Sequence, residues 1–290
     1  MIEAVVTGSS GFIGARLVAR LQASGAQVLA LSTRDGDVAA GSTCAAIPPA
    51  RVVFHLAGRS YVPDSWQDSA AFMQANVIGT EQALTYCRRT GAGMVMASAY
   101  VYGIPQHLPV SEHDLPQPNN PYALSKWMAE ELGAFSSTHH QVPVTVLRIF
   151  NVFGRGQRDA FLIPTIIRQV RGADAIRVQD LAPKRDYVHV EDVVDAMIRA
   201  AQSLSGFRRL NIGSGVSFSV AEIIDTVQRV AGTNLPIVSA NTSRPNEILD
   251  VRADISAARI ALGWHPAFSF EDGIRETMLG DGDSWQVRQG

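Results

Sequence analysis

The chain has 290 residues, of which 46% are hydrophobic and 18% charged, and its formal net charge is −2. This composition excludes disordered, collagen-like and disulfide-scaffold proteins, and the length suits one large domain or two smaller ones. Because the charge is near zero and no basic block is present, we expect no nucleic acid as a partner.

The N-terminal residues and the two cysteines bear on location and on metal binding. Met1-Ile2-Glu3 leads into an apolar run without the basic region of a signal peptide. No apolar run approaches the ~18 residues of a membrane span. We therefore expect a cytoplasmic protein that contacts no membrane. Cys44 and Cys87 lie in no C-x-x-C pair and near no histidine at ligand spacing, so we expect neither a disulfide framework nor a metal site.

Short apolar runs alternate with helical patterns through the first half of the chain, which is typical of a parallel sheet with crossover helices. The runs predict strands at 4–7, 27–31, 52–56, 93–97 and 144–149. Glycines, prolines and few apolar residues predict a shortened connection over 34–51. Later patterns predict helices at 161–170, 190–201, 220–230 and 256–262.

These elements predict an α/β fold, namely a Rossmann-type doubly wound parallel sheet with a smaller α/β substrate-binding part from the C-terminal half. Residues 1–150 are predicted to form the dinucleotide-binding domain, joined by returning segments near 185–213. Residues 151–290 are predicted to form mainly the substrate-binding domain. A cleft between the two parts is the expected ligand site.

The first predicted strand runs into three glycines at three-residue spacing, at the start of a helical pattern. Such a turn lets the backbone approach a diphosphate, whose charge the free N–H groups and the helix dipole stabilise. A glycine triplet alone also fits a purely structural turn, but the strand-turn-helix context favours cofactor binding. The predicted cofactor-binding residues of this turn are Gly8, Ser10, Gly11, Phe12, Ile13 and Gly14.

The end of the second predicted strand bears on the choice between the two nicotinamide cofactors. An acidic residue there binds the adenosine ribose of NAD, whereas an arginine accommodates the 2′-phosphate of NADP. Ser32 stands at the acidic position and Arg34 follows it. We therefore predict cofactor contacts from Ser32 and Arg34 and a preference for NADP(H). NAD(H) stays open because a one-residue bulge would bring Asp35 to the acidic position.

Tyr122 and Lys126 lie four residues apart in a helical pattern that begins after Asn120, a plausible N-cap. The chain has only two lysines, which makes this pairing informative. A nearby ammonium stabilises a phenolate, so we expect Lys126 to lower the pKa of Tyr122. Tyr122 would then exchange a proton with a carbonyl or alcohol oxygen. The alternative interpretation is that Tyr122 and Lys126 are a surface tyrosine and a solvated lysine that have helical spacing by chance.

Ser98 ends the fourth predicted strand, where ligands bind in open α/β sheets. Alone it would be an ordinary residue at a strand end. Together with Tyr122 and Lys126 it forms the predicted catalytic set, in which its hydroxyl contacts the reacting oxygen of the substrate.

Several motifs in order resemble the extended short-chain dehydrogenase/reductase family of the NAD-dependent epimerase/dehydratase type. They cover nearly the whole chain, at 7–14, 55–58, 76–80, 98–103, 122–126, 150–151, 185–189 and 244–247. The segments 55–66 and 150–157 look most like GDP-4-keto-6-deoxymannose reductases, although Val152 and Arg155 depart from that pattern. The substrate implied by the resemblance is a GDP-, UDP- or dTDP-linked sugar.

The resemblance also implies roles for further residues. On the cofactor side it implies contacts from Leu56, Ala57, Gly58, Tyr122, Lys126 and Ile149. On the substrate side, Ser98 and Tyr122 would meet the sugar, Asn151 would contact the sugar nucleotide, Arg185 and Arg244 would hold its diphosphate, and Glu247 would face its ribose. A homodimer through helices within 72–84 and 124–135 is the implied assembly.

Within this family, the dehydratases carry Asp and Glu directly after the serine or threonine, and here Ala99 and Tyr100 occupy those positions. The similar epimerases hold NAD tightly and commonly carry the acid that Ser32 replaces. The leading hypothesis is therefore an NADP-preferring reductase of a 4-keto, 6-deoxy nucleotide sugar. The alternatives are an NAD-dependent nucleotide-sugar 4-epimerase and, less favoured, a non-catalytic dinucleotide-sensing module.

Overall fold

The structure is a computed structural model that describes residues 2–242 and 247–279. Its strands alternate with helices through the first half of the chain, as predicted. The strands are β1 Ile2–Thr7, β2 Val28–Leu31, β3 Ala50–His55, β4 Gly93–Ala99, β5 Val144–Ile149, β6 Asn151–Phe153, β7 Ile176–Val178, β8 Lys184–His189, β9 Phe207–Ile212, β10 Ser217–Ser219 and β11 Ile237–Ser239.

The helices of the described residues differ widely in length, and the longest begins next to the predicted catalytic tyrosine. The helices are α1 Phe12–Ala23, α2 Gly41–Ala45, α3 Val62–Gln67, α4 Ser69–Met73, α5 Gly79–Thr90, α6 Pro121–His140, α7 Leu162–Gly172, α8 Val190–Gln202, α9 Val220–Ala231, α10 Ser256–Leu262 and α11 Phe270–Met278. A π-helix, Gln74–Ile78, joins α4 to α5.

Six strands form one parallel sheet in the order β2-β1-β3-β4-β5-β9. All five predicted strands are present in it, and β5 has the predicted bounds. The sixth strand, β9, comes from the second half of the chain after the crossover helix α8 and pairs with β5. The Rossmann-like α/β architecture predicted from the alternating pattern is confirmed.

The central strands are buried on both faces, which explains why they read as continuous apolar runs. On one face, Val5 belongs to a core cluster with Leu84 of α5. On the other face, Val6 packs with Leu17 of α1 and Met197 of α8. Helices on both faces of the sheet leave the carboxyl ends of the strands as the accessible edge, where α/β proteins bind ligands.

The interval between β2 and β3 is shortened, as its composition predicts. Residues 32–49, all of which the structure describes, hold the short helix α2 and no strand. The sheet therefore ends at β2 on this side, so that β2 is an edge strand.

The second half of the chain adds two small sheets, β10-β8-β6 and β11-β7. Their apolar side chains pack with α7, α9 and α11 around a separate core that includes Ile166, Ile223 and Ile274. Asp186 of β8 is fully buried and accepts hydrogen bonds from the N–H groups of Ser214, Gly215 and Ala253. The division of the chain into two functional domains near residue 150 stays a prediction. Across residues 2–242 and 247–279, no helix is long and apolar enough to cross a membrane.

Candidate active site

The glycine-rich turn joins β1 to α1 at the carboxyl edge of the sheet. Gly8 has a φ of +69°, and a Cβ there would lie 2.7 Å from the Ala57 nitrogen. A Cβ on Gly14 would overlap the carbonyl oxygen of Gly8. Both positions therefore require glycine.

The first turn of α1 meets the requirements of an anion site. Gly11 precedes the helix without a capping side chain, and Ser10, Phe12 and Ile13 complete the predicted set around it. With no side chain bonded to the first N–H groups of the helix, those groups and the helix dipole are available to a phosphate group. The turn thus fits the diphosphate of a dinucleotide.

The end of β3 lies directly beside this turn. The Leu56 N–H donates to the Thr7 carbonyl oxygen at 3.2 Å, and the Ala57 N–H donates to Thr7 Oγ1 at 3.2 Å. Gly58 follows, and a Cβ on it would overlap Asn76 Oδ1. The structure therefore brings three of the residues assigned to the cofactor next to the glycine-rich turn.

Asn76 lies in the π-helix and connects the end of β3 to α6. Its amide accepts a hydrogen bond from the Arg59 N–H at 2.8 Å and donates to the Arg59 carbonyl at 3.0 Å and to Ser125 Oγ at 2.8 Å. A π-helical turn often marks a functional site. Here it holds the segment after Gly58 against the helix that carries Tyr122 and Lys126.

His55, at the last position of β3, lies between two threonines. Its Nδ1 is 2.9 Å from Thr7 Oγ1 and its Nε2 is 3.1 Å from Thr80 Oγ1. Desolvation and, secondarily, the positive charge of Lys126 lower the pKa of His55 to about 3. The imidazole is therefore neutral at physiological pH, and it anchors β1 and α5 to the site rather than carrying charge.

At the end of β2, the residues that bear on cofactor choice form a small hydrogen-bonded turn. Both the N–H and the hydroxyl of Ser32 donate to Asp35 Oδ2, at 2.8 and 2.9 Å. The Arg34 N–H donates to Ser32 Oγ at 3.2 Å. The two bonds from Ser32 lower the pKa of Asp35. The Asp35 carboxylate thus lies within hydrogen-bond distance of Ser32, and no bulge in β2 is needed to bring it there.

Tyr122 and Lys126 lie on α6, whose start is defined by Asn120. The Asn120 side chain accepts a hydrogen bond from the Ala123 N–H at 2.9 Å, and Pro121 takes the first helical position. Lys126 is 9% exposed, and the ring of Tyr122 packs edge-on against Phe72 at 6.2 Å between centroids. The structure therefore excludes the alternative interpretation, in which Tyr122 and Lys126 are a solvated pair on the surface.

We expected Lys126 to lower the pKa of Tyr122, and for the protein without a bound cofactor this prediction is wrong. Desolvation raises the pKa of Tyr122 to about 12, and Lys126 is not among the groups that shift it. Desolvation also lowers the pKa of Lys126 to about 8, against the opposing influence of Glu130. The burial that encloses the pair outweighs the attraction between phenolate and ammonium on which the expectation rested.

Ser98, near the end of β4, is 5% exposed, and its hydroxyl donates to Glu130 Oε1 at 2.5 Å. Glu130 follows Lys126 by one turn of α6. Sequence reasoning missed this residue, because a glutamate in a helix is usually a surface residue. Two signals were available, namely its spacing of four from Lys126 and the charged Arg148 within the apolar run of β5.

Ala99 and Tyr100 follow Ser98, at the positions where dehydratases carry acids. The Tyr100 hydroxyl donates to the Gly103 carbonyl at 2.8 Å. Desolvation raises the pKa of Tyr100 above its ordinary value. Ile149, the last residue of β5, is 7% exposed and pairs in register with Ala99 and Ile212.

The residues assigned to the substrate lie on β6, on β8 and in the segment after residue 246. The Asn151 amide donates to the Asp186 carbonyl at 3.2 Å. The Arg185 guanidinium donates to the Ile248 carbonyl at 2.5 Å and forms an ion pair with Glu247. Arg185 and Glu247, which the resemblance assigns to different parts of the nucleotide, thus contact each other. Arg244 lies outside the described residues.

Comparison with known proteins gives concordant results over nearly the whole chain. The family described as NAD dependent epimerase/dehydratase matches residues 4–213. GDP-6-deoxy-D-mannose reductase of Pseudomonas aeruginosa is 33% identical over 303 residues, covering 98% of either chain. UDP-glucose 4-epimerase of Lactobacillus helveticus is 27% identical over 320 residues, covering 95% of this chain and 96% of that one.

Among solved structures, RMD from Pseudomonas aeruginosa complexed with NADPH superimposes with a TM-score of 0.88. Its sequence is 31% identical, and the superposition covers 96% of this chain and 98% of the other. Similarity therefore extends beyond the glycine-rich turn to both halves of the chain.

Proposed function

The chain belongs to the NAD-dependent epimerase/dehydratase family, and from that premise we propose that it is an NADP-preferring reductase of a 4-keto, 6-deoxy nucleotide sugar. The observation that carries the proposal is the presence of buried Ser98, buried Lys126 and half-buried Tyr122 in a protein whose glycine-rich turn fits a dinucleotide diphosphate. The similarity to GDP-6-deoxy-D-mannose reductase over 98% of the chain favours reduction among the reactions of the family.

The proposed reaction assigns the proton to Tyr122. A pKa raised to about 12 keeps the phenol protonated at neutral pH, which suits a group that gives a proton to a keto oxygen. The bound nicotinamide supplies the hydride to the keto carbon. Lys126 would hold the cofactor ribose and stabilise the phenolate left after proton transfer, while Ser98 would orient the substrate oxygen.

The cofactor contacts follow the turns at the carboxyl edge of the sheet. The diphosphate would lie on the N–H groups of Phe12 and Ile13, which no capping side chain occupies. Leu56, Ala57 and Gly58 would line the cofactor on the β3 side. On the substrate side, Asn151 would contact the sugar nucleotide and Arg185 its diphosphate, with Glu247 at the ribose.

The preference for NADP rests on Ser32 and Arg34 at the end of β2. A 2′-phosphate there would take the Ser32 hydroxyl and the Arg34 guanidinium and displace Asp35, whose carboxylate otherwise accepts both Ser32 bonds. We expect Arg34→Ser to lower kcat/KM for NADPH by roughly tenfold to a hundredfold, and for NADH by much less. Asp35→Asn should raise the ratio of NADPH to NADH use. An equal loss of kcat/KM with NADPH and NADH in Arg34→Ser would contradict the assignment of Arg34 to the 2′-phosphate.

One observation favours a second candidate, an NAD-dependent nucleotide-sugar 4-epimerase. The Asp35 carboxylate beside Ser32 would serve as acceptor for the ribose hydroxyls of NAD if it stays in place when the cofactor binds. UDP-glucose 4-epimerases are also similar to this chain over 95% of its length.

A single assay separates the two candidates. NADPH oxidation is followed at 340 nm with GDP-, UDP- and dTDP-linked 4-keto-6-deoxy sugars. The proposal expects oxidation with at least one of them. No oxidation, together with interconversion of UDP-sugars by protein carrying tightly held NAD, would establish the epimerase instead.

A further inference from the structure

Glu130 is a fully buried carboxylate that the proposed reaction leaves without a role. It lies on α6 one turn after Lys126 and two turns after Tyr122, on the same side of the helix. Arg148 of β5 donates to its two oxygens from Nε at 3.1 Å and to Oε2 from Nη2 at 2.7 Å. Arg209 of β9 donates to Oε2 at 3.1 Å.

The third residue that donates a hydrogen bond to the Glu130 carboxylate is Ser98. Its hydroxyl gives its one proton to Glu130 Oε1 at 2.5 Å, within the range of bonds strengthened by charge. A serine hydroxyl has one proton and two lone pairs. Because the two arginines hold the Glu130 carboxylate, this hydrogen bond fixes the position of the Ser98 side chain.

The charge of Glu130 also acts on Lys126. Glu130 shifts the pKa of the Lys126 ammonium, and Lys126 in turn shifts the pKa of His55 of β3, whereas Tyr122 is not among the groups that shift the pKa of Lys126. His55 is neutral, since its pKa is about 3, and Tyr122 is protonated, since its pKa is about 12. Glu130 is therefore the negative charge that offsets the desolvation of Lys126.

We propose that Glu130 is a positioning residue of the reaction, which fixes the Ser98 side chain through a direct hydrogen bond and places a negative charge one helical turn from Lys126. The inference rests on the proposed function for its turnover measurement only. Proton donation to the keto oxygen stays with Tyr122, and Glu130 acts on the reaction through the position of Ser98 and through its charge near Lys126.

Three substitutions separate the two effects. Glu130→Gln removes the charge. The arginines are donors, so the amide oxygen should face them and the amide NH₂ should face Ser98. The hydrogen bond between residue 130 and Ser98 would then run in the opposite direction. Glu130→Asp keeps the charge beside Arg148 but withdraws it from Ser98 by one methylene. Glu131→Gln is the matched control, because Glu131 is the adjacent residue, is half-exposed and bonds Arg209 at 2.5 Å.

The first readout is kcat on the nucleotide sugar that the unmodified enzyme turns over. Glu130→Gln and Glu130→Asp should each lower kcat by roughly tenfold to a hundredfold with little change in KM, since a charge-assisted hydrogen bond within the site is lost. In a Ser98→Ala background Glu130→Asp should have little further effect on kcat, because it keeps the charge near Lys126 and no serine hydroxyl remains for Glu130 to position. Glu131→Gln should leave kcat unchanged.

The second readout needs no turnover and uses the scarcity of lysine. After reductive methylation with ¹³C-formaldehyde, NMR shows only Lys126, Lys184 and the terminal amine. Lys126 should titrate at about 8 in the unmodified protein, and lower by roughly one pH unit in Glu130→Gln. It should be unchanged in Glu130→Asp and Glu131→Gln. Lys184, exposed and 3.8 Å from Glu222, is the internal reference.

Circular dichroism first establishes that each variant is folded. A folded Glu130→Gln protein with unaltered kcat and an unaltered Lys126 titration would overturn the proposal, as would equal changes in Glu131→Gln. If Glu130→Gln does not fold, Glu130→Asp decides, and unaltered kcat in it overturns the role of Ser98. If the unmodified protein turns over no nucleotide sugar, the proposed function fails, and the Lys126 titration alone decides the inference.

Discussion

Tyr122 and Lys126 show what spacing along a helix predicts and what it does not. Four-residue spacing and the scarcity of lysine were enough to predict a pair of interest, and the structure buries Lys126 and half-buries Tyr122. The sign of the Tyr122 pKa shift was beyond prediction, because it depends on how much water the surrounding elements exclude. Glu130 was missed for the same reason, since only the packed strands β4, β5 and β9 make it a buried acceptor.

Substitution of Tyr122 by phenylalanine removes the proposed proton donor and little else. We expect kcat to fall by roughly a hundredfold to ten-thousandfold, with cofactor binding retained. The matched control is Tyr100→Phe, which removes a hydroxyl bonded only to the Gly103 carbonyl among the contacts described above. Initial rates and cofactor titration by fluorescence measure both quantities. Retained turnover in Tyr122→Phe would contradict the role of Tyr122 as proton donor. Cofactor binding without any turnover in the unmodified protein would indicate a non-catalytic sensing module.

His55 should make the stability of the protein depend on pH in acid. Its pKa is about 3 in the folded state against an ordinary value of 6.5, so between these values the unfolded chain binds a proton that the folded protein excludes. Stability is therefore lost as the pH falls below 6.5, by about 1.4 kcal/mol per pH unit. Urea unfolding at pH 6.5 and pH 5 measures this slope. His55→Gln should flatten it, whereas the exposed control His113→Gln should not.

At the scale of elements, α6 carries most of the proposed chemistry, and its first turn fixes the position of Tyr122. Asn120→Ala removes the bond from its side chain to the Ala123 N–H. We expect a loss of about 1 kcal/mol in the free energy of unfolding, and a decrease in kcat because fraying begins at Tyr122. Denaturant titration and initial rates test this. The control is Asn234→Ala, an exposed asparagine outside α6, and a loss as large in the control would contradict the capping role.

The strands were the most predictable elements, because burial on both faces leaves an apolar run in the sequence. β5 was predicted to the residue despite Arg148, whose side chain is only 1% exposed and pairs with Glu130. The short strands β6, β7, β10 and β11 were not predicted. Each has three residues, too few for a periodic pattern, and their pairing depends on contacts distant in the chain.

At the scale of the whole molecule, we propose that the exposed apolar side of α6 mediates a homodimer. Leu124 is 36% exposed, Met128 42% and Phe135 55%, and Ile78 of the neighbouring π-helix is 41% exposed. Such a stripe is costly to leave in water and is typical of an interface.

Phe135→Glu places a charge in this stripe and should convert a dimer to a monomer in sedimentation velocity. Leu115→Glu is the control, because Leu115 is 77% exposed in a loop outside α6. Its assembly state should match that of the unmodified protein. A monomeric unmodified protein, or dissociation by the control as well, would contradict the proposed interface.

The shortened connection between β2 and β3, which holds no strand, has a consequence for aggregation. An edge strand presents unpaired N–H and C=O groups that recruit strands from other chains, and long flat edges are the most hazardous. Among the described residues β2 ends the sheet, and it is only four residues long. The turn at Ser32 and Asp35 then directs the chain away from the sheet. On the β2 side the sheet therefore presents only a short edge to other chains, which should favour solubility during folding at high concentration.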